Sequence, residues 1–186
     1  MLRDELAQAS LIIADFDGTL VYLETDWQTL RKELEISCMS LFHIKESFES
    51  IDAGLLRIKN HVGEQAYKYL LEKVSQYELQ GYRGKKVDEV ICILLDLQRK
   101  RQIAIFSTNC RQTIERIIPD LGLNVSYIIA KEDVAEHKPS GLGIKRILDF
   151  LHMRSEDSIF IGDSGLDLRA GKNAGVKTLL WMDYYA

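Results

Sequence analysis

The stretch Leu11-Ile12-Ile13-Ala14-Asp15-Phe16-Asp17-Gly18-Thr19-Leu20 decides the architecture. Its apolar opening does not alternate and is closed by an acidic residue and a Gly-Thr turn, which describes a strand buried on both faces of a parallel sheet. Four further segments read as strands: Ile103 to Ser107, Tyr127 to Ala130, Ser158 to Ile161 and Val176 to Trp181. Helical periodicity fills 87–100, 109–118, 140–152 and 165–174. Strand and helix alternate, so the expected fold is α/β, a Rossmann-like three-layer core with a parallel five-stranded sheet.

The first interval is too long for one crossover. The first strand ends near Asp15 and the second does not begin until Ile103, whereas a helical crossover needs about a dozen residues. The helix over 87–100, with Val87, Val90, Ile91, Leu94 and Leu95 toward the sheet, supplies that crossover and leaves Val21 to Gly84 as an insertion. Apolar residues recur there at helical spacing, as Trp27, Leu30 and Leu34, then Leu41, Ile44, Phe48 and Ile51, then Ala66, Tyr69, Leu70, Val74 and Tyr77. No strand pattern is visible in the insertion. The expected domains are residues 1–20 and 85–186 as the catalytic core, and 21–84 as an α-helical cap over the strand ends.

Composition narrows the class. A chain of 186 residues, 46% apolar and 28% charged, can bury one core and a small accessory unit. A net charge of -4 and a pI near 5.6 provide no basic surface for nucleic acid or anionic lipid, so any phosphate must be held locally. The longest apolar run, Val90 to Leu95, is too short to span a bilayer, and Arg3, Asp4 and Glu5 make the opening unlike a secretory signal or anchor. Cys38, Cys92 and Cys110 form no CxxC pair, and a reducing cytoplasm is the expected location. Oligomeric state has no signature in the sequence.

Ligands of open parallel sheets bind beyond the carboxyl ends of the strands. Those ends carry Asp15 and Asp17, then Ser107, Thr108 and Asn109, then Asp163 with Asp167 just beyond; Lys138-Pro139 opens the helix after the third strand. Carboxylates gathered this way resist ionising unless a cation joins them. Hard oxygen donors without clustered Cys or His favour magnesium over zinc. The set also has the parts that phosphoryl transfer needs. Asp15, nearest the strand, suits a nucleophile that forms an acyl-phosphate; Asp17 suits the proton donor and acceptor; Lys138 and Mg2+ would offset developing charge. Simpler roles compete: Ser107 and Asn109 could cap the next helix, Asp167 could serve only its own helix N-terminus, and Lys138 could be a solvated loop lysine.

At these residues the sequence resembles the haloacid dehalogenase superfamily, in its phosphatase branch with a small helical cap, as in phosphoglycolate phosphatase-like enzymes. The matching motifs are Ile12 to Leu20, Ile105 to Asn109, Lys138-Pro139 and Ile161 to Asp167, in order over essentially the whole chain. The resemblance implies that Asp15 is the nucleophile, Asp17 the acid and base, and Lys138 the charge neutraliser. It implies Ser107 and Asn109 as phosphate binders; the family often has its hydroxyl and asparagine adjacent, so the intervening Thr108 stays beside Ser107 as a candidate. It implies a metal held by the Asp15 carboxylate, the Asp17 backbone carbonyl and Asp163, with Asp167 in support. Dehalogenases of the family generally lack the second acidic residue of the first motif, so Asp17 favours phosphoryl chemistry.

The implied activity is hydrolysis of a small phosphorylated metabolite. A phosphomutase or phosphotransferase, a phospho-receiver-like signalling domain and a non-catalytic scaffold are the alternatives. In the insertion Arg57, Lys59, His61, Tyr82, Arg83 and Lys85 are candidates for contact with the rest of the substrate.

Overall fold

The computed structural model describes residues 1–185. Five parallel strands form one sheet: β1 (Leu11–Ala14), β4 (Gln102–Phe106), β5 (Tyr127–Ile129), β6 (Ser158–Gly162) and β7 (Lys177–Leu180), in the spatial order β5-β4-β1-β6-β7. β1 is central, with Ala14 paired to Ile105 on one side and Ile161 on the other. Every residue of β1 is fully buried, as a strand covered on both faces must be.

One face packs Leu11, Ile13, Ala104, Phe106 and Phe160 with Ile144 and Ile147 of helix α7 (Leu142–Leu151) and Ala170 of α8 (Gly165–Ala174). The alternate residues Ile12, Ile103, Ile105, Ile159 and Ile161 point the other way and are buried too. Helices α5 (Asp88–Leu97) and α6 (Arg111–Leu121) fall in the other crossovers, and a short α1 (Leu2–Leu6) precedes β1. In α5 the buried side is Val90, Ile91, Ile93, Leu94 and Leu97, whereas Leu95, expected to face the sheet, is exposed. Val90, Ile91, Leu94 and Leu97 recur at i, i+1, i+4 and i+7, which defines the buried stripe, and Leu95 falls outside it.

The chain divides into two compact units, Met1–Tyr22 with Gly84–Ala186, and Leu23–Arg83. The second unit holds α2 (Trp27–Phe42), α3 (Ile51–His61) and α4 (Glu64–Gly81), with α4 packed on both others. Asp26 caps α2 by accepting the Thr29 N–H at 3.0 Å, and Ser50 caps α3 through the Ala53 N–H at 3.3 Å. Gly54 lies inside α3 because a side chain there would strike the Phe48 ring.

Three expectations for the insertion are corrected. Leu41 to Ile51 is not one helical face: α2 stops at Phe42, His43 turns left-handed at φ 56°, and Leu41 is exposed. Phe48 still reaches the core of this unit, from a loop whose shape is held by Arg57 bonds to Glu46 and to the Ser47 carbonyl. On α4 the buried aromatic residue is Tyr67, and Tyr69 is exposed. The absence of strands is also wrong: β2 (Val21–Leu23) and β3 (Tyr82–Lys86) pair as a two-stranded sheet. β3 is largely exposed and polar, so backbone pairing defines it without an apolar pattern. Among the described residues no helix is long and apolar enough to cross a membrane.

Candidate active site

The sheet brings the sequence-predicted acidic residues to one end. Asp15 follows β1, with its N–H given to the Ile161 carbonyl at 2.9 Å, so the β1–β6 ladder runs up to it. Asp17 lies in the turn beyond, where the Phe16 carbonyl accepts N–H groups of Thr19, Leu20 and Val21. Asp163 follows β6, and Asp167 occupies the first turn of α8. Carboxylate oxygens of Asp15, Asp163 and Asp167 all lie within 4.8 Å of one another.

Lys138 joins two of these groups. Its Nζ lies 2.6 Å from Asp15 Oδ1 and 2.7 Å from Asp167 Oδ1, and its side chain is only 4% exposed. It is not a solvated loop lysine. Nζ also stands 5.3 Å above the Phe106 ring and 5.3 Å above the Phe160 ring, so aromatic faces wall in the ammonium. Phe106 and Phe160 were not singled out from sequence, where they read only as strand residues.

Asp167 both pairs with Lys138 and serves the N-terminus of its own helix. Beyond the Lys138 pair, its Oδ2 accepts Ser164 Oγ–H at 2.5 Å and the Ser164 N–H at 3.0 Å, while Ser164 Oγ accepts the Asp167 N–H at 3.4 Å. This is a capping box at the start of α8. The spacing Ser164-x-x-Asp167 is a local signal that could have marked Ser164. Gly162 leaves the room this requires, since a Cβ there would lie 2.5 Å from Asp167 Cβ and Cγ.

Burial raises the Asp15 carboxyl above its ordinary range; Lys138 pulls it down and Asp167 pushes it up, and the rise prevails. Burial, with the charges of Asp15 and Asp167, pushes Asp163 up to about 6. For Asp167 burial acts upward as well, yet Lys138 and the Ser164 bonds outweigh it and hold the carboxyl below its ordinary range. Fully ionised, three carboxylates against one ammonium leave two negative charges uncompensated. Hard oxygen donors with that deficit fit a divalent cation of the magnesium kind.

β4 delivers the polar run 107–109. The Ser107 N–H extends the β4–β5 ladder to the Ile129 carbonyl at 3.0 Å. Ser107 is 1% exposed; its hydroxyl donates to Asn109 Oδ1 at 2.8 Å and accepts the Asn109 N–H at 3.1 Å. Thr108 between them is half-buried. Cys110, not Ser107 or Asn109, stands at the N-cap of α6, and Glu132 accepts the Arg111 N–H. The simpler helix-cap role for Ser107 and Asn109 is therefore not what the geometry displays.

Two candidates in the insertion are engaged within their own unit: Arg57 with Glu46 at 2.8 Å, and Lys59 with Glu64 at 3.4 Å and over the Tyr67 ring at 4.7 Å. A residue missed from sequence is Trp181, whose indole N–H donates to the Gly18 carbonyl at 2.8 Å. Nothing local announces a bond between residues so far apart in the chain.

A model described as haloacid dehalogenase-like hydrolase matches residues 12–181. The chain is 34% identical to pyrophosphatase PpaX of Halalkalibacterium halodurans over 79 residues, 41% of this chain and 37% of that protein. It spans less than half the length of this and other PpaX relatives that it matches. It is 25% identical over 177 residues to phosphoglycolate phosphatase of Aquifex aeolicus, covering 91% of this chain and 83% of the relative. CbbY from Rhodobacter sphaeroides, solved with xylulose-(1,5)bisphosphate, superposes with a TM-score of 0.63 at 19% identity, covering 91% of this chain and 84% of CbbY. At that identity the likeness is one of fold.

Proposed function

The chain belongs to the haloacid dehalogenase-like hydrolase family, and from that premise we propose that it is a magnesium-dependent phosphomonoester hydrolase acting through an aspartyl-phosphate on Asp15. The observation that carries this reading is the meeting of Asp15, Asp163 and Asp167 within 4.8 Å, with buried Lys138 bridging Asp15 and Asp167. A nucleophilic carboxylate must be held ionised in a dry site and yet accept an anionic phosphoryl group. Lys138 against it does part of this, and a divalent cation bound by the carboxylates would do the rest.

Asp15 Oδ attacks phosphorus, and the bond from phosphorus to the leaving oxygen breaks. Asp17 gives its proton to that oxygen, then as a carboxylate takes a proton from water. The resulting hydroxide attacks the acyl-phosphate, releases inorganic phosphate and restores Asp15. Lys138 neutralises charge at Asp15 throughout, and Asp167 holds Lys138. Ser107, Thr108 and Asn109 at the end of β4 bind phosphoryl oxygens, with the Ser107 and Asn109 side chains oriented by their mutual bonds. The Asp15 and Asp163 carboxylates and the Asp17 carbonyl, with Asp167 in support, would hold magnesium, which would supply further charge neutralisation for the phosphoryl group.

The substrate class is a small phosphorylated metabolite, the location is the cytoplasm, and residues 21–84 act as the cap that selects the leaving group. Phosphoglycolate and inorganic pyrophosphate, taken from the names of the relatives, are the first substrates to assay. The test is phosphate release across a metabolite panel with magnesium, then with a chelator, then with magnesium restored. Turnover indifferent to chelation sinks the proposal.

A further inference from the structure

Gly18 is constrained on three sides. Its N–H donates to the Val21 carbonyl at 2.8 Å, the space beside its Cα is filled by the Asp163 carboxylate, and its own carbonyl accepts the Trp181 indole N–H at 2.8 Å. At φ +80° this residue sits where only glycine is at ease, and a free glycine there would sample widely. Bonds on both its N–H and its C=O remove that freedom, and so fix the direction of the peptide that joins it to Asp17.

Trp181 is well placed for this. It leaves β7 directly after Leu180, whose register partner is Gly162, so it stands level with Asp163 on the neighbouring strand end. Only 8% of the residue is exposed, and its ring leans on Tyr185 at 6.2 Å between centroids. A buried indole needs an acceptor for its N–H. Here the acceptor is a backbone carbonyl of the turn that carries Asp17.

We propose that Trp181 is a positioning residue: its indole N–H locks the Gly18 carbonyl, and through it the Asp17 peptide and the seat of Asp163. The proposal rests on the function assigned above. Trp181 touches no reacting atom and acts only through Gly18.

The experiment compares Trp181→Phe with a second form in which residue 181 carries 3-benzothienylalanine, which keeps the bicyclic shape and puts sulfur where the N–H was. Two readouts are taken on the full chain. In the absence of any ligand, amide hydrogen exchange at Thr19 and Leu20 rises about tenfold in both forms, as expected when one buried hydrogen bond is lost. With a turned-over phosphomonoester and magnesium, kcat falls about tenfold or more while KM moves less than about threefold, because misplaced groups cost the chemical step. If the benzothienyl form keeps wild-type exchange and kcat, the indole is packing only and the proposal is overturned. If the wild-type chain hydrolyses nothing, the functional assignment fails by itself; the exchange measurement still decides whether Trp181 holds the turn.

Discussion

The Asp163 carboxylate occupies the volume that a side chain on Gly18 would need: a Cβ built there lies 2.7 Å from Asp163 Cγ and closer still to Oδ2. The strand-end turn and the β6 carboxylate thus fit only while residue 18 has no side chain. Gly18→Ala is expected to cost about 1–2 kcal/mol for the left-handed backbone alone, and to displace Asp163 as well. Magnesium-dependent turnover should fall about 100-fold or more, since a shift of about 1 Å has that effect. Calorimetry together with phosphate release checks both, and wild-type turnover in this variant would show that Asp163 can leave Gly18 at no cost.

Lys138 is the only cation that the described geometry places against both Asp15 and Asp167. Lys138→Met leaves two buried carboxylates without it, a loss of about 3–5 kcal/mol for a broken buried pair. The sign with pH follows. In the variant both carboxyls move upward, the folded state binds protons more readily than the unfolded one, and stability recovers as pH falls. Urea unfolding without magnesium should therefore give a larger deficit at pH 8 than at pH 5. A deficit that is equal at the two values contradicts the pairing.

The strands were legible because each is buried on at least one face and reads as an apolar run, Leu11–Ala14 most plainly. The carboxylates stood out because they close those runs. The pair β2 and β3 was not legible, since Tyr82–Lys86 pairs through its backbone with little burial. Leu41 to Ile51 misled because apolar spacing continues past the real break, and that break is a left-handed histidine where a glycine would have been a signal. The Phe106 and Phe160 faces on Lys138, and the Trp181 bond to Gly18, depend on which strands are neighbours. Periodicity carries no such information.

Asp15→Asn removes the proposed nucleophile while nearly preserving shape. Acid-quenched reactions followed by intact mass should reveal a phosphorylated wild-type chain and none in the variant, with turnover at background. Its thermal stability without magnesium should match or exceed that of wild type, because burial already disfavours the Asp15 charge. Phosphorylation persisting in Asp15→Asn would move the nucleophile to another residue.

Asp17→Asn keeps the turn but cannot give up or take a proton. Phosphorylation of Asp15 should survive with good leaving groups, such as a nitrophenol, and slow steeply with alkyl phosphates, whose oxygen needs the proton. Breakdown of the aspartyl-phosphate should also slow, so the phosphorylated chain accumulates. Equal slowing for all leaving groups, without accumulation, rules Asp17 out as acid and base.

Asp163 gives the prediction with the sharpest pH signature. Its carboxyl is pushed up to about 6, by burial first and then by the charges of Asp15 and Asp167. A carboxyl raised on folding is bound to a proton more tightly in the native state, so its ionisation costs stability above about pH 6, and the cost fades as pH falls toward the unfolded value near 4. Asn mimics the protonated form. Without magnesium, Asp163→Asn should therefore be more stable than wild type at pH 7.5, and the two should converge between about pH 6 and 4. Saturating magnesium should reverse the order at pH 7.5, because the cation stabilises the carboxylate it binds and finds no such ligand in the variant. Melting curves at about pH 7.5 and about pH 4, with and without the metal, decide it; an order at the higher pH that magnesium leaves unchanged removes Asp163 from the metal site.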